Sequence, residues 1–343
     1  MHEALLYEHL EQERVQCNIC SWRCQINPGK TGACRMYLNQ EGRLYSLNYA
    51  LPSSIAVDPV EKKPLNHFYP GSRIFSMGSW GCNFSCRDCQ NWQISTAGGH
   101  GIPDSIQKVL PEEAVRMAER TNAEGIALTY NEPTVWFEYT LDTARLAKQK
   151  GLHTVYVTNG FITQEALDLI GPYLDAWRVD IKGFTDAFYQ KWCGIKNWKD
   201  ILVNAERASK HWGMHVEVVT NIVPGMNDDE TQLRDIAGWI NDKLGELTPW
   251  HVTRFHPYDF MRDAEPTPIN TLEKAVDIGK KIGLKFVYIG NVTGSGHENT
   301  YCYNCGGLII SRQGYCTEIG KLIDGHCGYC GADLNIRTKK GSV

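Results

Sequence analysis

A C-x3-C-x2-C triplet lies in the segment Gly81-Cys82-Asn83-Phe84-Ser85-Cys86-Arg87-Asp88-Cys89-Gln90-Asn91, directly after the apolar run Ile74-Phe75-Ser76-Met77-Gly78. A tight loop of this kind can bring three thiolates to three corners of one [4Fe–4S] cube, and no nearby fourth cysteine claims the remaining iron. The open iron can then take a small molecule. We expect Gly81 to let the backbone approach inorganic sulfide and Phe84 to shield the cluster from water.

Composition agrees with an α/β enzyme that carries small appended modules. The chain has 343 residues, 42% of them hydrophobic, and a net charge of −4, so it lacks the basic excess of a nucleic-acid binder. Its 13 cysteines fall mainly into three groups with metal-type spacings, and an odd count argues against a purely disulfide framework. The acidic start and the lack of any long apolar run predict a cytoplasmic protein without a membrane span.

The middle of the chain alternates apolar runs with segments that carry helix signals, which is typical of βα units and a parallel sheet. Pro111 is expected at the first position of one helix. Further helices are expected at Thr134–Lys150, followed by Gly151, and at Asp228–Gly245 and Thr271–Gly283. Periodicity alone does not separate a partial barrel from a doubly wound sheet. The predicted strands are Ile74–Gly78, Gly125–Tyr130, His153–Asn159, Ala176–Lys182, Val216–Val223, Val252–His256 and Phe286–Asn291.

Polar residues stand at the ends of six successive predicted strands. Functional groups gather at the carboxyl ends of parallel strands, so we expect these side chains to converge over the cysteine loop. A helix cap or turn is the alternative for Thr158, Asn159 and Asn221, and a buried, hydrogen-bonded histidine is the alternative for His256. The candidates are Tyr130, Asn131, Glu132, Thr158, Asn159, Asp180, Lys182, Asn221, His256 and Asn291.

Two of these strand ends carry charged groups that can be interpreted further. Glu132 precedes Pro133 and has no obvious capping role in its own helix, which favours a binding role for its carboxylate. Asp180 and Lys182 point to the same face of their strand, so a purely structural ion pair is the alternative to a binding site.

The whole pattern resembles a known family. The cysteine triplet, Asp58-Pro59-Val60-Glu61-Lys62-Lys63-Pro64-Leu65, Cys89-Gln90-Asn91 and Thr129-Tyr130-Asn131-Glu132-Pro133 resemble the AmmeMemoRadiSam system enzymes of the radical S-adenosylmethionine (SAM) superfamily. These are similar to the activases that install glycyl radicals, such as the pyruvate formate-lyase-activating enzyme. The resemblance covers nearly the whole chain. It implies a partial (β/α) barrel, a [4Fe–4S] cluster on Cys82, Cys86 and Cys89, and an electron donor such as flavodoxin or ferredoxin.

The resemblance also implies how SAM is bound, with its methionyl amine and carboxylate on the open iron. Glu132 is then the partner of the ammonium, and Tyr130 and Asn131 stand where the superfamily carries two glycines. Asp180 and Lys182 resemble a strand end that lies near the cofactor carboxylate or a cation, although Val157 stands where activases tend to carry an aspartate. His256 matches a histidine that contacts ribose or substrate. No catalytic residue is assigned.

The N-terminal cysteines Cys17, Cys20, Cys24 and Cys34 are spaced closely enough to close a tetrahedral metal site. Zinc and an iron–sulfur cluster both suit four thiolates. A structural zinc ion is the first interpretation, and an auxiliary cluster is the alternative.

The C-terminal cysteines form two C-x2-C-G knuckles, which are typical of a zinc ribbon. Such ribbons bind nucleic acid or protein, or simply fold a segment too small for its own core. The four expected ligands are Cys302, Cys305, Cys327 and Cys330.

These observations predict three regions: a Cys-rich segment at 1–70, a radical SAM partial barrel at 71–295 and a ribbon-like module at 296–343. The predicted function is reductive cleavage of SAM to a 5′-deoxyadenosyl radical that abstracts hydrogen from an unidentified substrate, which can be a protein. One alternative is a glycyl-radical activase acting on a partner protein. Another is a binding protein whose metal sites are structural and whose ribbon contacts RNA or protein.

Overall fold

The computed structural model describes residues 1–96, 101–258, 261–292, 294 and 296–339. The chain divides into two compact units. Unit 1 comprises Met1–Asp58, Arg73–Trp177 and Trp192–Met214, and unit 2 comprises Pro59–Ser72, Arg178–Lys191 and His215–Val343. The Cys-rich segment and the cysteine triplet both belong to unit 1, whereas the C-terminal knuckles belong to unit 2.

The N-terminal part of unit 1 forms two small antiparallel sheets that the sequence did not predict. One has the strand order β1-β6-β5 and the other has the order β2-β3-β4. Strands of two to four residues are too short to show a clear alternation of apolar and polar positions. Their bounds are β1 His2–Glu3, β2 Tyr7–His9, β3 Val15–Cys17, β4 Gln25–Ile26, β5 Tyr37–Gln40 and β6 Arg43–Ser46.

Three parallel strands make up the core of unit 1, namely β8 (Arg73–Gly78), β9 (Gly125–Leu128) and β10 (His153–Thr158), which are neighbours in that order. β7 (Ser54–Pro59) lies beside β8 and runs in the opposite direction, since the Ser53 N–H donates to the Gly78 carbonyl and the Val60 N–H to the Ser72 carbonyl. β9 pairs in parallel with both β8 and β10. Nearly every residue of these three strands is buried, as in parallel sheets covered on both faces. Three of the predicted strands are confirmed here, and β9 and β10 end one or two residues earlier than predicted.

The helices bear out most of the predicted signals. Pro111 is the first residue of its helix, and Gly151 and Gly283 follow helices with φ of +70° and +127°. Gly245, with φ of +104°, follows the π-helical turn Ile240–Leu244 that continues the helix ending at Trp239. No helix in the described ranges is both long and apolar enough to cross a membrane. The bounds are α1 Trp92–Ser95, α2 Pro111–Arg120, α3 Phe137–Gln149, α4 Gln164–Ile170, α5 Asp186–Phe188, α6 Lys199–Lys210, α7 Glu230–Trp239 and α8 Ile269–Ile282.

Unit 2 contains its own parallel strands, β12 (His215–Ile222), β13 (Trp250–Arg254) and β14 (Val287–Gly290), paired in that order. The preceding strand, β11 (Ala176–Asp180), has residues in both units. All four were predicted, with ends displaced by at most two residues. The prediction of an α/β fold with a parallel sheet is therefore confirmed.

The C-terminal module of unit 2 consists of short antiparallel strands around a small core. Its strands are β15 Thr300–Tyr301, β16 Leu308–Gln313, β17 Cys316–Ile319, β18 Leu322–Ile323 and β19 His326–Cys327. Two cysteines are part of the buried cluster, which contains Phe286, Tyr288, Cys302, Ile309, Ile310, Leu322, Cys327, Leu334 and Ile336. The module thus packs its metal-type cysteines against its few apolar residues.

Candidate metal centres and binding site

The cysteine triplet forms a loop after β8 in unit 1, held from outside by residues distant in sequence. The Ser85 N–H donates to the Cys193 carbonyl at 3.0 Å, and the Trp192 indole N–H donates to Asp88 at 2.8 Å. All three loop cysteines are half-buried. A loop anchored in this way can hold three thiols in place before a metal binds.

Gly81 adopts a left-handed backbone conformation, with φ of +81°, immediately before Cys82. A Cβ atom there would lie 2.6 Å from Met36 Cγ and 2.9 Å from the carbonyl oxygen of Cys34. Glycine is therefore required for two reasons, its φ and the close approach of the Cys-rich segment.

The sulfur of Cys82 lies in a partly polar environment. The Phe84 N–H donates to Cys82 Sγ at 3.4 Å, and the Asn159 amide lies 3.9 Å from it. Phe84 is buried and packs edge-to-face on Phe161, with ring centroids 5.5 Å apart. Burial, and next the charge of Glu132, raise the pKa of the Cys82 thiol. A bound metal would offset this cost, because metal ligation deprotonates thiols.

Tyr130 follows β9 with φ of +73°, an uncommon conformation for a residue other than glycine. Its hydroxyl donates to Asp58 Oδ2 at 2.7 Å, and its carbonyl accepts a hydrogen bond from the Asn91 amide. Tyr130 thereby connects the end of β9 to Asp58 and Asn91, which belong to two of the motifs that resemble the family.

Asn131 crosslinks the cysteine loop to the end of β9. Its Oδ1 accepts from the Ser79 N–H at 2.9 Å, and its Nδ2 donates to the Gly81 carbonyl at 2.7 Å. Both amide atoms are engaged by backbone. The side chain that stands in place of a glycine therefore positions the loop that carries Cys82.

Glu132 is fully buried, and three donors hold its carboxylate. Oε1 accepts from the Thr134 N–H at 3.0 Å and from the Thr158 hydroxyl at 2.7 Å, and Oε2 accepts from the Asn159 N–H at 2.7 Å. The expectation that Glu132 has no capping role was wrong, because it caps the short 3₁₀ turn Pro133–Trp136. The carboxylate spans the ends of β9 and β10, as expected for convergent strand ends.

The environment of Glu132 sets its charge state. Burial raises its pKa above the usual value for glutamate, while contacts from Thr134, Asn159 and Thr158 oppose this shift. An ionised carboxylate has about four acceptor positions, so three donors leave room for one more. A cation that reached this carboxylate would favour its ionised form.

Asp180 lies in unit 2 and forms ion pairs with two basic side chains. Lys182 Nζ is 3.0 Å from Asp180 Oδ2, and Arg178 pairs with the other oxygen. Burial opposes ionisation of Asp180, but the charges of Arg178 and Lys182 outweigh it and lower the pKa. The ion pair considered from the sequence is thus present. Arg178, which the sequence did not single out, lies on the same strand face, because positions 178, 180 and 182 are each two residues apart.

The remaining candidates of unit 2 contact the ends of neighbouring strands. Asn221 Oδ1 accepts from the Thr253 hydroxyl at 3.2 Å. His256 Nε2 lies 3.3 Å from the Asn291 carbonyl, and the Asn291 amide donates to the Arg254 carbonyl at 3.1 Å. His256 is half-buried, so a fully buried histidine is not what the structure shows.

The C-terminal cysteines form a contracted four-thiol group. Their sulfur atoms all lie within 4.8 Å of one another, with Cys302–Cys330 at 3.6 Å and Cys305–Cys327 at 3.7 Å. Both knuckles have the same backbone, since the N–H of Gly306 or Gly331 donates to the carbonyl four residues earlier at 2.8 Å. A tetrahedral zinc site with Zn–S bonds of about 2.3 Å needs sulfurs about 3.8 Å apart, which these distances match.

Three polar residues around the loop were not singled out from the sequence, namely Asn83, Asn91 and Thr134. Asn83 accepts from the Asn159 amide at 2.8 Å and, through its carbonyl, from the Trp22 indole at 2.7 Å. Asn83 and Asn91 lie inside quoted motifs, so the signal was present. Nothing in the local sequence distinguishes Thr134.

Comparison with known proteins identifies the family of this arrangement. The profile of the Radical SAM superfamily matches residues 79–237, which include the cysteine loop and Glu132. The uncharacterized protein MJ0808 of Methanocaldococcus jannaschii is 44% identical over 312 residues, covering 91% of this chain and 92% of the relative. The pyruvate formate-lyase 1-activating enzyme of Escherichia coli K12 is 25% identical over 233 residues, covering 64% of this chain and 93% of that enzyme.

A solved structure shows the same fold. A radical SAM methyltransferase from Sphaerobacter thermophilus aligns with a TM-score of 0.51 and 15% identity, covering 70% of this chain and 71% of that one.

Proposed function

Because this chain belongs to the radical SAM superfamily, we propose that Cys82, Cys86 and Cys89 hold its [4Fe–4S] cluster and that Glu132 binds the ammonium of SAM. The chain is an enzyme that reductively cleaves SAM to a 5′-deoxyadenosyl radical, which abstracts hydrogen from a substrate not yet identified. When bound, the cluster supplies the electron for this cleavage. The protein's own residues orient the cofactor and exclude water.

The observation that carries the assignment is the buried carboxylate of Glu132 beside the cysteine loop. It is held by donors from two strand ends, and one of these donors, Asn159, has its side-chain amide 3.9 Å from Cys82 Sγ. A carboxylate kept in a buried position needs a compensating partner. The SAM ammonium supplies that charge where a spare acceptor position remains.

We extend the proposal to the other strand ends. Tyr130, Asn131 and Asn159 would shape the cofactor site through their contacts with the loop and with Glu132. Asp180 and Lys182 would contact the cofactor carboxylate or a cation, and Arg178 would complete this group of charged side chains. Asn221 and His256 would contact SAM or the substrate.

Within the superfamily, we propose that the chain is one of the AmmeMemoRadiSam system enzymes. The motif Asp58–Leu65 supports this, because its residues make specific hydrogen bonds within each unit. Asp58 binds Tyr130 in unit 1, and in unit 2 the Lys63 carbonyl accepts from Arg178 at 2.7 Å. The division into regions 1–70, 71–295 and 296–343 stays a prediction, as does zinc in the ribbon.

The reductant proposed for the cluster is a low-potential carrier such as flavodoxin or ferredoxin. A reducing cytoplasm would keep both the carrier and the cluster functional. This proposal can be tested by mixing photoreduced flavodoxin with the reconstituted protein. The absorbance of the cluster then reports electron transfer.

The central test is reductive cleavage of SAM. The full-length protein, reconstituted anaerobically with iron and sulfide and reduced with dithionite, should convert SAM to 5′-deoxyadenosine and methionine. Alanine variants of Cys82, Cys86 and Cys89 should make none, whereas the control Cys316→Ala should match the wild type, since Cys316 is exposed and outside all three groups. Cleavage by all three loop variants would refute the assignment.

A second candidate is a glycyl-radical activase, favoured by the similarity to the Escherichia coli pyruvate formate-lyase 1-activating enzyme. It requires a partner protein with a radical-accepting glycine. Co-purified proteins should then show a glycyl radical by electron paramagnetic resonance after incubation with SAM and reductant. A small-molecule substrate would give deoxyadenosine without any protein radical.

A further inference from the structure

We propose that Cys17, Cys20, Cys24 and Cys34 bind a second [4Fe–4S] cluster rather than a zinc ion, in a cavity directly beside the loop of the first cluster. All four cysteines line one cavity of unit 1. The other lining residues are mostly apolar, among them Ile19, Ile26 and Val135, so the thiols are the groups available to a metal.

The spacing of the sulfur atoms argues for a cluster. In the described part of the chain, only the ribbon has three or more candidate ligands with all donor atoms within 4.8 Å of one another. No three of the N-terminal sulfurs are that close, although all four face the same space. A single zinc ion needs sulfurs about 3.8 Å apart, whereas a cube of four irons holds its thiolates further apart.

The cysteine loop provides an internal reference for this spacing. Cys82, Cys86 and Cys89 also fail to reach the contracted arrangement, and their family holds a [4Fe–4S] cluster there. The chain thus contains one contracted group that matches zinc and two open groups. Four thiols in an open group complete all corners of a cube, so this cluster would have no iron free for SAM.

Polar groups around the cavity suit a sulfur-rich ligand. The Ala33 N–H donates to Cys24 Sγ at 3.4 Å. Thr134 lines the cavity with a fully buried hydroxyl that meets no acceptor in hydrogen-bond geometry among the described residues, although its side chain helps to favour ionised Glu132. Cluster sulfide would accept a hydrogen bond from this hydroxyl.

The two sites are adjacent through direct contacts. Gly81 packs against the Cys34 carbonyl so closely that a Cβ atom would lie 2.9 Å from it, and the Trp22 indole donates to the Asn83 carbonyl at 2.7 Å. Gly81 and Asn83 flank Cys82 on both sides. Trp22 lies between Cys20 and Cys24, so a segment that carries ligands of one site directly contacts a segment that carries a ligand of the other.

The test counts metals in full-length protein lacking the first cluster, and it needs no SAM cleavage, so it can fail independently of the proposed function. The triple variant Cys82→Ala/Cys86→Ala/Cys89→Ala, reconstituted anaerobically, should retain about four iron and four sulfide per chain with a reducible cluster signal. The double variant Cys20→Ala/Cys24→Ala should lose an equal amount from the wild-type total of about eight iron. Zinc should stay near one equivalent throughout. Two equivalents of zinc and no iron in the triple variant would overturn the proposal.

A second measurement avoids cysteine variants that fail to fold. In the triple-variant background, Thr134→Val should shift the midpoint potential of the remaining cluster to a more negative value, because hydrogen bonds to cluster sulfur set its potential. Thr143→Val is the matched control, since Thr143 is equally buried without an acceptor but does not line the cavity. Equal potentials in both variants would contradict the assigned contact, and absence of any iron signal would overturn the site.

Discussion

The N-terminal and C-terminal cysteine groups have the same number of thiols and different geometry. The ribbon brings its sulfurs to 3.6 and 3.7 Å in pairs, and two of its cysteines are exposed. The N-terminal cysteines line a cavity, with Cys17 and Cys20 buried and no such contraction. Cysteine count and spacing in sequence are therefore insufficient to identify the metal.

The cause of the difference lies in what supports the ligands. Each ribbon knuckle orients its own two cysteines through its backbone hydrogen bonds, and the close sulfur pairs, Cys302–Cys330 and Cys305–Cys327, join the two knuckles. The N-terminal cysteines are distributed over short strands and turns, and Thr134 and Val135 from another part of unit 1 complete the lining of their cavity. Distances there depend on how those segments pack.

The largest expected effect concerns the ribbon. Cys302→Ser/Cys327→Ser should remove about one zinc and unfold the module, since structural zinc contributes about 10–16 kcal/mol to the folding of small domains. Both residues also belong to the buried core of the module. Limited proteolysis and hydrogen exchange across residues 296–339 would detect the loss of structure.

The matched control for this experiment is Cys316→Ser, which changes an exposed thiol of the same module outside the four-ligand group. It should keep both zinc and protection. Iron content should be unchanged in both proteins. Loss of iron in the ribbon variant would show that the N-terminal cysteine group and the ribbon do not bind metal independently. That result would contradict the comparison between them.

The next effect concerns Glu132, which contacts Thr134 at the border of the N-terminal cavity. Losing one partner of a buried charge pair costs about 2–5 kcal/mol, so Glu132→Gln should weaken SAM binding about 30-fold to a few thousand-fold. Equilibrium binding to the reconstituted protein measures this. The exposed Glu318→Gln is the control, and equal affinities would remove Glu132 from the binding site.

The same carboxylate predicts a pH dependence. Burial raises the pKa of Glu132, so its charge is lost at a higher pH than for an ordinary glutamate. SAM affinity should therefore fall as the pH is lowered through this raised pKa, and Glu132→Gln should abolish that dependence. Protein stability has the opposite sign, because the contribution of Glu132 is present at low pH and is lost as the pH rises through the folded-state pKa.

The smallest effect compares two glycines with similar φ values, Gly81 at +81° and Gly331 at +76°. An alanine at Gly331 meets nothing within 4 Å, so only the left-handed backbone costs, about 1 kcal/mol. At Gly81 the methyl group also collides with Met36 and Cys34, and overpacking adds about 1–3 kcal/mol. Gly81→Ala should therefore lose more thermal stability than Gly331→Ala, and the metal that it loses should be iron. Thermal unfolding and metal analysis measure these two losses. A larger effect at Gly331 would contradict the packing of the loop on the Cys-rich segment.

The sequence was sufficient for the features that depend on local patterns. Apolar runs located all seven predicted strands, because fully buried parallel strands need several consecutive apolar residues. Pro111, Gly151 and Gly283 marked helix ends because their backbone preferences act within a single turn. The small strands β1 to β6 escaped prediction because long-range pairing, and not periodicity, stabilises them.

The residues of the cysteine loop, the candidate carboxylate of Glu132 and the two-knuckle ribbon were all identified from the sequence alone, since each is a short motif whose chemistry depends on residue type and spacing. Tertiary structure decided what these motifs contact. It placed Asn131 on the loop backbone, made Glu132 a cap as well as a candidate ligand, added Arg178 to Asp180, and brought Thr134 to the cavity of four distant thiols. Such contacts join residues far apart in the chain, and their distances follow from packing that no local pattern encodes.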